Sequence, residues 1–283
     1  MKKLKYTFFG IPHVKLYDVT NRTIALLGST ILTKSIHSPC GINKAADVIR
    51  KASIEYTGFL SHLDIEIHER DVVDLGNFSR ENIGRAVMGV LENGGIPIVI
   101  GGDHATTYYT LSEVELSPLL WLDAHLDFAL KTFHGERIND VFHGNVLRLL
   151  VEKHNLETTI AGFRGYSTFG EELKSVQKLG IKLIFAEETT TERLKKLIEE
   201  HVAVSLDVDF FDATYFNAAR VPELCGMKPS DLIIALRNIN HSKVRYFDIV
   251  EYCPRNDIGY VHAKILSQII LEIIGMFIKM GYG

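Results

Sequence analysis

Leu119-Leu120-Trp121-Leu122-Asp123-Ala124-His125-Leu126-Asp127 passes from four apolar residues straight into acids and an imidazole alternating with Ala and Leu. An uninterrupted apolar run that stops this sharply reads as a strand buried on both faces, the kind found in parallel sheets. Two further stretches repeat the pattern. Ile98, Val99 and Ile100 lead into Gly101-Gly102-Asp103-His104, and Val202, Ala203 and Val204 lead into Ser205-Leu206-Asp207-Val208-Asp209. Open α/β sheets place their chemistry outside the carboxyl ends of their strands, so three such junctions put candidate ligands along one rim.

Outward from these junctions, strand-like runs recur around 23–27, 71–75, 97–100, 119–122, 158–162, 181–185, 202–206 and 244–250. Helix-length segments separate most of them. They include Ala45 to Leu60, Arg80 to Leu91 with Ile83, Val87, Val90 and Leu91 on one face, and Thr190 to Glu200. This alternation predicts a three-layer α/β/α architecture around a mostly parallel sheet of about eight strands. No Pro- or Ser-rich linker or internal repeat interrupts it, so residues 1–283 are expected to form one catalytic domain. Lys131 to Phe142 and Asp212 to Lys228 read as irregular. Each follows a carboxylate string, where loops shape pockets.

Composition narrows the function. A net charge of −4, with no Lys/Arg block, excludes a nucleic-acid surface of the usual basic kind. The basic start, Met1 to Gly10, has too short an apolar stretch for a secretory signal, and a cytoplasmic location is expected. Tyr260 to Met280 is long and apolar enough to raise a membrane span, but Lys264, Gln268 and Glu272 at i, i+4 and i+8 form one polar stripe. That stripe predicts a helix packed on the sheet and no membrane role. Cys40, Cys225 and Cys253 are few, scattered and without C-x-x-C spacing, which predicts reduced thiols.

The three junctions together carry His104, Asp123, His125, Asp127, Asp207 and Asp209. In an extended chain, Asp123, His125 and Asp127 project to one side while Ala124 and Leu126 point away, and Asp207 and Asp209 do the same around Val208. Alone, His104 reads equally well as a turn histidine, and Asp207 with Asp209 as a Mg²⁺-phosphate site. Their conjunction reads as a centre for two metal ions. Four converging carboxylates would otherwise repel or take up protons. With oxygen predominant and one imidazole per ion, the set favours Mn²⁺, then Co²⁺ or Fe²⁺, over structural zinc.

In this order, Gly-Gly-Asp-His, Asp-Ala-His-x-Asp and Ser-x-Asp-x-Asp-x-x-Asp resemble the ureohydrolase family of arginase, agmatinase, guanidinobutyrase and formimidoylglutamase. Val-Val-Asp-Leu-Gly at 72–76, Gly-Phe-Arg-Gly at 162–165, Asp-Ile-Val-Glu at 248–251 and the helix starting near His262-Ala263 are similar to family segments in the same order. The resemblance implies two Mn²⁺ per chain. His104 and Asp127 would complete one site and His125 and Asp209 the other, with Asp123 and Asp207 bridging and a hydroxide between the ions as nucleophile. Asp127 would also orient that hydroxide.

The same resemblance implies that Glu251 receives the substrate guanidinium and that His143 relays a proton to the leaving amine, with His134 as the alternative. The family forms homo-oligomers, which implies a trimer or hexamer. The loop from Phe128 to Asp140 lacks the Asn-, Thr- and Ser-rich character of arginase. The expected substrate is therefore a small cationic guanidino compound, agmatine, cleaved to urea and putrescine, with Glu136 or Asp140 a candidate for its distal ammonium. Arginase itself, another guanidino or formimino hydrolase, a non-catalytic relative and a single-zinc deacetylase on a related fold are the alternatives. The chain departs from the family after Asp212, where Ala-Thr-Tyr-Phe-Asn-Ala-Ala-Arg replaces a proline and a glycine-rich loop, and at Ser38-Pro39-Cys40-Gly41, a loose match to Arg-Pro-Gly.

Overall fold

A computed structural model describes residues 4–34, 40–131 and 140–283. His134, Glu136 and the Ser38-Pro39 pair singled out above lie outside the described residues.

The strands, in chain order, are β1 (Ile24–Ser29), β2 (Phe59–Leu60), β3 (Ile65–Glu66), β4 (Val72–Phe78), β5 (Ile96–Ile100), β6 (Leu119–Leu122), β7 (Thr158–Phe163), β8 (Lys182–Phe185), β9 (Ala203–Asp207) and β10 (Tyr246–Val250). The helices are α1 (Ala45–Ser53), α2 (Ile83–Glu92), α3 (Ala105–Leu111), α4 (Val146–His154), α5 (Gly170–Lys178), α6 (Thr191–Glu200), α7 (Pro229–Arg237) and α8 (Val261–Lys279). All but β2 and β3 form one sheet in the order β4-β1-β5-β10-β9-β6-β7-β8, and every neighbouring pair is parallel. Each of these eight strands falls on an apolar run read from the sequence.

The sheet is buried on both sides because successive side chains point to opposite faces. Leu26, Ile98, Ile100, Leu120 and Leu122 join one core with residues of α1, α6, α7 and α8. Leu27, Val99 and Trp121 join the other, under α2, α3, α4 and α5. The expected α/β/α layering is present.

Three expectations change. The first helix stops at Ser53 instead of running to Leu60, because Phe59 and Leu60 pair antiparallel with Glu66 and Ile65. Gly58, at φ +82°, turns the chain into that hairpin and accepts the Ile67 amide at 3.1 Å. The second helix begins at Ile83, since Asn82 Oδ1 accepts the Ser79 amide at 2.9 Å and holds a turn ahead of it. The third change concerns the cysteines. Cys40 and Cys253 form a disulfide across 213 residues of sequence, with Cα atoms 5.3 Å apart, and Cys225 is free and exposed. Sequence spacing carried no sign of it: the pairing depends on the segment before α1 meeting the exit of β10.

Helix α8 is long and apolar enough to cross a membrane by length and composition, yet 67% of its apolar window is buried inside the fold. Its polar stripe meets partners there. Lys264 pairs with Glu55 at 2.6 Å, Gln268 donates to the Tyr56 hydroxyl at 3.1 Å, and Arg237 on α7 donates to Glu272 at 2.7 Å.

Candidate metal centre

Strands β5, β10, β9 and β6 are consecutive neighbours in the middle of the sheet, and each leads at its carboxyl end into polar residues of the centre. After β5, Gly101 and Gly102 adopt φ of +84° and +79°, a left-handed turn that delivers His104 to the start of α3. A Cβ on Gly101 would come within 2.9 Å of the Ala46 amide, so glycine is required there. Strand β6 hands over Asp123, His125 and Asp127; β9 ends on Asp207 with Asp209 just beyond; β10 is followed by Glu251.

All six sequence-derived ligand residues are brought together. His104 Nδ1 lies 3.0 Å from Asp127 Oδ2, 3.2 Å from Asp207 Oδ2 and 3.3 Å from Asp123 Oδ2. His125 Nδ1 lies 3.0 Å from Asp209 Oδ2 and 3.3 Å from the other oxygen of Asp123. Two donor groups result, His104 with Asp123 and Asp127, and Asp123 with His125 and Asp209. Within each, the donor atoms fall within 4.8 Å of one another. Asp123 thus turns one oxygen to each imidazole.

Continued strand alternation is not what produces this convergence. Strand β6 ends at Leu122, and the His125 amide donates to Asp123 Oδ1 at 2.6 Å, closing a tight side-chain turn. Asp207 Oδ1 accepts the Asp209 amide at 2.9 Å in the same way, starting a 3-10 turn over Val208–Phe210. Asp127 and Glu251 sit at φ +48° and +66°, sparsely populated backbone for residues with a Cβ. Short Asx-type turns, which compete with the ladder for backbone donors, replace the extended chain assumed from sequence.

The donor set fits cations. His104 Nδ1 is fully buried and faces three carboxylates, yet makes no aligned hydrogen bond to any of them. Burial, then the charge of Asp123, pushes the Asp127 carboxyl up to about 7. Asp207 is driven well above the carboxylate range by burial and by Asp209 and Asp123. Burial opposes charge on His104 and His125 as well, but the surrounding aspartates outweigh it and hold both well above the ordinary imidazole value. Without metal, this cluster keeps its charge down by sharing protons; divalent ions would replace them.

Behind the donors stands a buried polar scaffold that sequence reading did not identify. Ser205 donates to Asp248 Oδ1 at 2.6 Å, so its oxygen accepts from His104 Nε2 at 3.0 Å. Tyr246 and Thr107 hydroxyls fix the other Asp248 oxygen at 2.6 and 2.8 Å. Trp121 stacks on the His104 ring, with centroids 4.0 Å apart, and donates Nε1–H to Asp123 Oδ2 at 2.9 Å. Carboxylate-anchored imidazoles of this kind present the opposite nitrogen to a metal. Glu223, from the irregular segment after Asp212, reaches His125 Nε2 at 3.4 Å. Ser205 and Asp248 stood in quoted motifs, whereas Glu223 carried no local signal.

A cavity of about 1390 Å³ opens over the donors and is lined by His125, Asp127, His143 and Glu251 among others, with the exposed Asp140 farther out. Glu251 is not an exposed strand-end acid. It is 3% exposed, and its Oε1 accepts the His104 amide at 2.7 Å. Burial, offset in part by Arg220, pushes its carboxyl up to about 8. His143 begins the turn leading into α4, and its Nδ1 receives a hydrogen bond from Arg220 Nη1 at 3.1 Å. Arginine only donates, so the neutral ring carries its proton on Nε2.

Residues 22–275 match the arginase family. An agmatinase of Pyrococcus horikoshii is 27% identical over 273 residues, covering 92% of this chain and 93% of the relative. A mitochondrial guanidino acid hydrolase of Homo sapiens is 25% identical over 237 residues, 77% of this chain and 66% of the relative. Among solved structures, proclavaminate amidino hydrolase from Streptomyces clavuligerus superposes with a TM-score of 0.80 at 20% identity, covering 97% of both chains. The match spans all four ligand-bearing strands, from the glycine turn after β5 to Glu251, and the chain is a member of the arginase family, a hydrolase of the ureohydrolase type.

Proposed function

We propose that this chain is a two-metal hydrolase that cuts the guanidino C–N bond of a small cationic compound, agmatine in the first instance, to give urea and putrescine. The observation that carries the reading is the convergence of two donor groups on a shared Asp123, beneath a cavity that also receives Glu251 and His143. His104, Asp123, Asp127 and Asp207 would hold one ion and Asp123, His125, Asp207 and Asp209 the other, with Mn²⁺ favoured by the oxygen-rich set. Bound there, two divalent cations lower the pKa of water and stabilise the negative charge that develops on hydrolysis.

The chain's own groups supply the rest. Ser205 and Asp248 hold the His104 ring so that Nδ1 faces the cavity floor. Asp127 presents an acceptor beside the attacking water and holds its hydrogen-bonding direction. Glu251, planar and buried, matches a planar guanidinium, and orients its central carbon over the aspartates. As imidazolium, His143 donates its Nε2 proton to the departing amine nitrogen and returns to neutral imidazole, a transfer suited to this group near neutral pH. Water adds across the carbon, the bond to the amine breaks, and urea and the protonated amine leave.

The test is urea release from a panel of agmatine, arginine, 4-guanidinobutyrate and formiminoglutamate, with ammonia or formamide release read in parallel, using protein loaded with Mn²⁺. Agmatine should give the highest kcat/KM, and His125→Ala should abolish turnover. No urea from any guanidino compound would sink the reading.

A further inference from the structure

The cavity already contains a guanidinium, and it belongs to the protein. Arg220, in the segment where the chain leaves the family pattern, has a side chain only 2% exposed, and its Nε lies 3.2 Å from Glu251 Oε2. Nη2 lies 3.8 Å from Asp103 Oδ2, and Nη1 donates to His143 Nδ1 at 3.1 Å. The Glu251 carboxylate beside the metal donors therefore accepts a guanidinium in this structure, from inside the chain. We propose that Arg220 is a specificity-determining residue: its guanidinium occupies the seat at Glu251 and competes directly with the guanidinium of an incoming substrate. The proposal rests on the guanidino-hydrolase reading above and adds what controls entry to that site.

The local bonding shows a seat that is held without being locked. Arginine and carboxylate bind best through two parallel N–H···O bonds. Among the described residues, neither Nε nor Nη2 of Arg220 makes an aligned hydrogen bond, and Glu251 Oε2 has no aligned donor although all three atoms are buried. The aligned bond is the one from Nη1 to His143. A displaced Arg220 also has somewhere to go. Among the described residues, the buried Asp103 Oδ1 has no hydrogen-bond partner, while Oδ2 is taken by the amide and hydroxyl of Thr33 at 2.5 and 2.6 Å. A small swing carries the guanidinium from one carboxylate toward the other and frees Glu251, without exposing a buried charge.

The competition has a specific signature. A ligand that binds only the open seat has its apparent affinity reduced by the fraction of molecules in which the seat is open. Guanidinium, planar and cationic, meets this competitor in full, whereas urea has the same planar shape but no charge and gains little from Glu251.

The experiment measures guanidinium chloride and urea binding by calorimetry in Mn²⁺-loaded wild type, Arg220→Ala and Arg220→Gln, the last retaining most of the buried volume. Thermal melts select the variants that fold. The dissociation constant for guanidinium should fall about tenfold or more in both variants while that for urea hardly changes. Adding Glu251→Gln to Arg220→Ala should remove the gain. Unchanged or weaker guanidinium binding in either folded variant overturns the proposal, as does an equal tightening of urea, which would mark simple cavity opening. Weaker binding of 4-guanidinobutyrate alone, with no guanidinium gain, overturns it in favour of Arg220 as a carboxylate contact. If guanidinium binding tightens but neither wild type nor variants release urea from any guanidino compound, the proposed function fails and the competition at Glu251 stands.

Discussion

Asp248 never reaches the cavity, yet the orientation of His104 depends on it through Ser205. Asparagine at that position would point an NH2 group at Ser205 or at the Tyr246 and Thr107 hydroxyls, each of which now donates. Outer-shell partners of metal-binding histidines typically contribute about 10–100-fold in affinity. Asp248→Asn should therefore weaken Mn²⁺ binding by that order, read by competition against a chelator, with the circular dichroism spectrum unchanged; unaltered affinity would show the relay to be idle. At this scale the sequence was legible where chemistry is local. Acids and imidazoles at the ends of apolar runs identify themselves, because few other roles suit Asp123, His125 and Asp127 in succession. Arg220 and Glu223 act through contacts made across the fold, and nothing in their neighbours along the chain points to a carboxylate or an imidazole; Asp248 stood in a quoted motif, but its link to His104 runs through Ser205 on the neighbouring strand. The alternation argument pointed to residues that the fold does bring together, for an incomplete reason, since it ignored the backbone amides that Asp123 and Asp207 capture.

Among the elements, the segment from Asp212 to Lys228 carries the most consequence, because it supplies both Arg220 and Glu223 without regular structure beyond isolated bridges at Phe211–Met227 and Ala219–Tyr252. Arg164 pins it, donating to Phe210 O at 2.8 Å and Leu224 O at 3.2 Å. Gly226 makes this possible: a Cβ there would overlap the Arg164 guanidinium and approach Phe210 O to 2.6 Å and Asp212 N to 2.7 Å. Gly226→Ala should push the segment off Arg164, destabilise the chain by about 1–3 kcal/mol, and lower kcat/KM as Glu223 leaves His125. Wild-type melting temperature and kinetics in this variant would refute the assignment. The central strands were the most readable elements, since both faces of each are buried and the run length is the signal. Boundaries such as that of α1 were lost to a hairpin whose residues look as helical as their neighbours in one dimension.

For the molecule as a whole, the centre concentrates the buried Asp123, Asp207 and Asp209 with the half-buried Asp127, a cost that only cations or protons relieve. Metal binding to the native state alone adds stability as RT ln(1 + [L]/Kd), about 4 kcal/mol at a thousandfold excess over Kd. Mn²⁺ at pH 8 should raise the melting temperature well above that in a chelator. The sign with pH follows from the ligands: Asp127 is pushed up to about 7 and Asp207 well above its ordinary range, so protons compete as pH falls. The Mn²⁺-dependent gain should shrink as pH drops below about 7, and a gain that is flat or grows on acidification would contradict the assignment. The layered architecture and the rim that bears the clustered acids and imidazoles were both legible from the rhythm of apolar runs. The neighbour order of the strands was not, since it depends on where each crossover lands.

That order carries one more consequence, for assembly in time. Strand β10 is the last strand in the chain, yet it lies between β5 and β9. While a ribosome is still making residues 246–250, the growing polypeptide has β4-β1-β5 on one side and β9-β6-β7-β8 on the other, with no strand to join them. His104 belongs to the first group, and Asp123, Asp127 and Asp207 to the second. The keystone of the sheet and one carboxylate of its cavity, Glu251, are thus made together, so the strand that joins the two groups also brings the last acid of the cavity's floor.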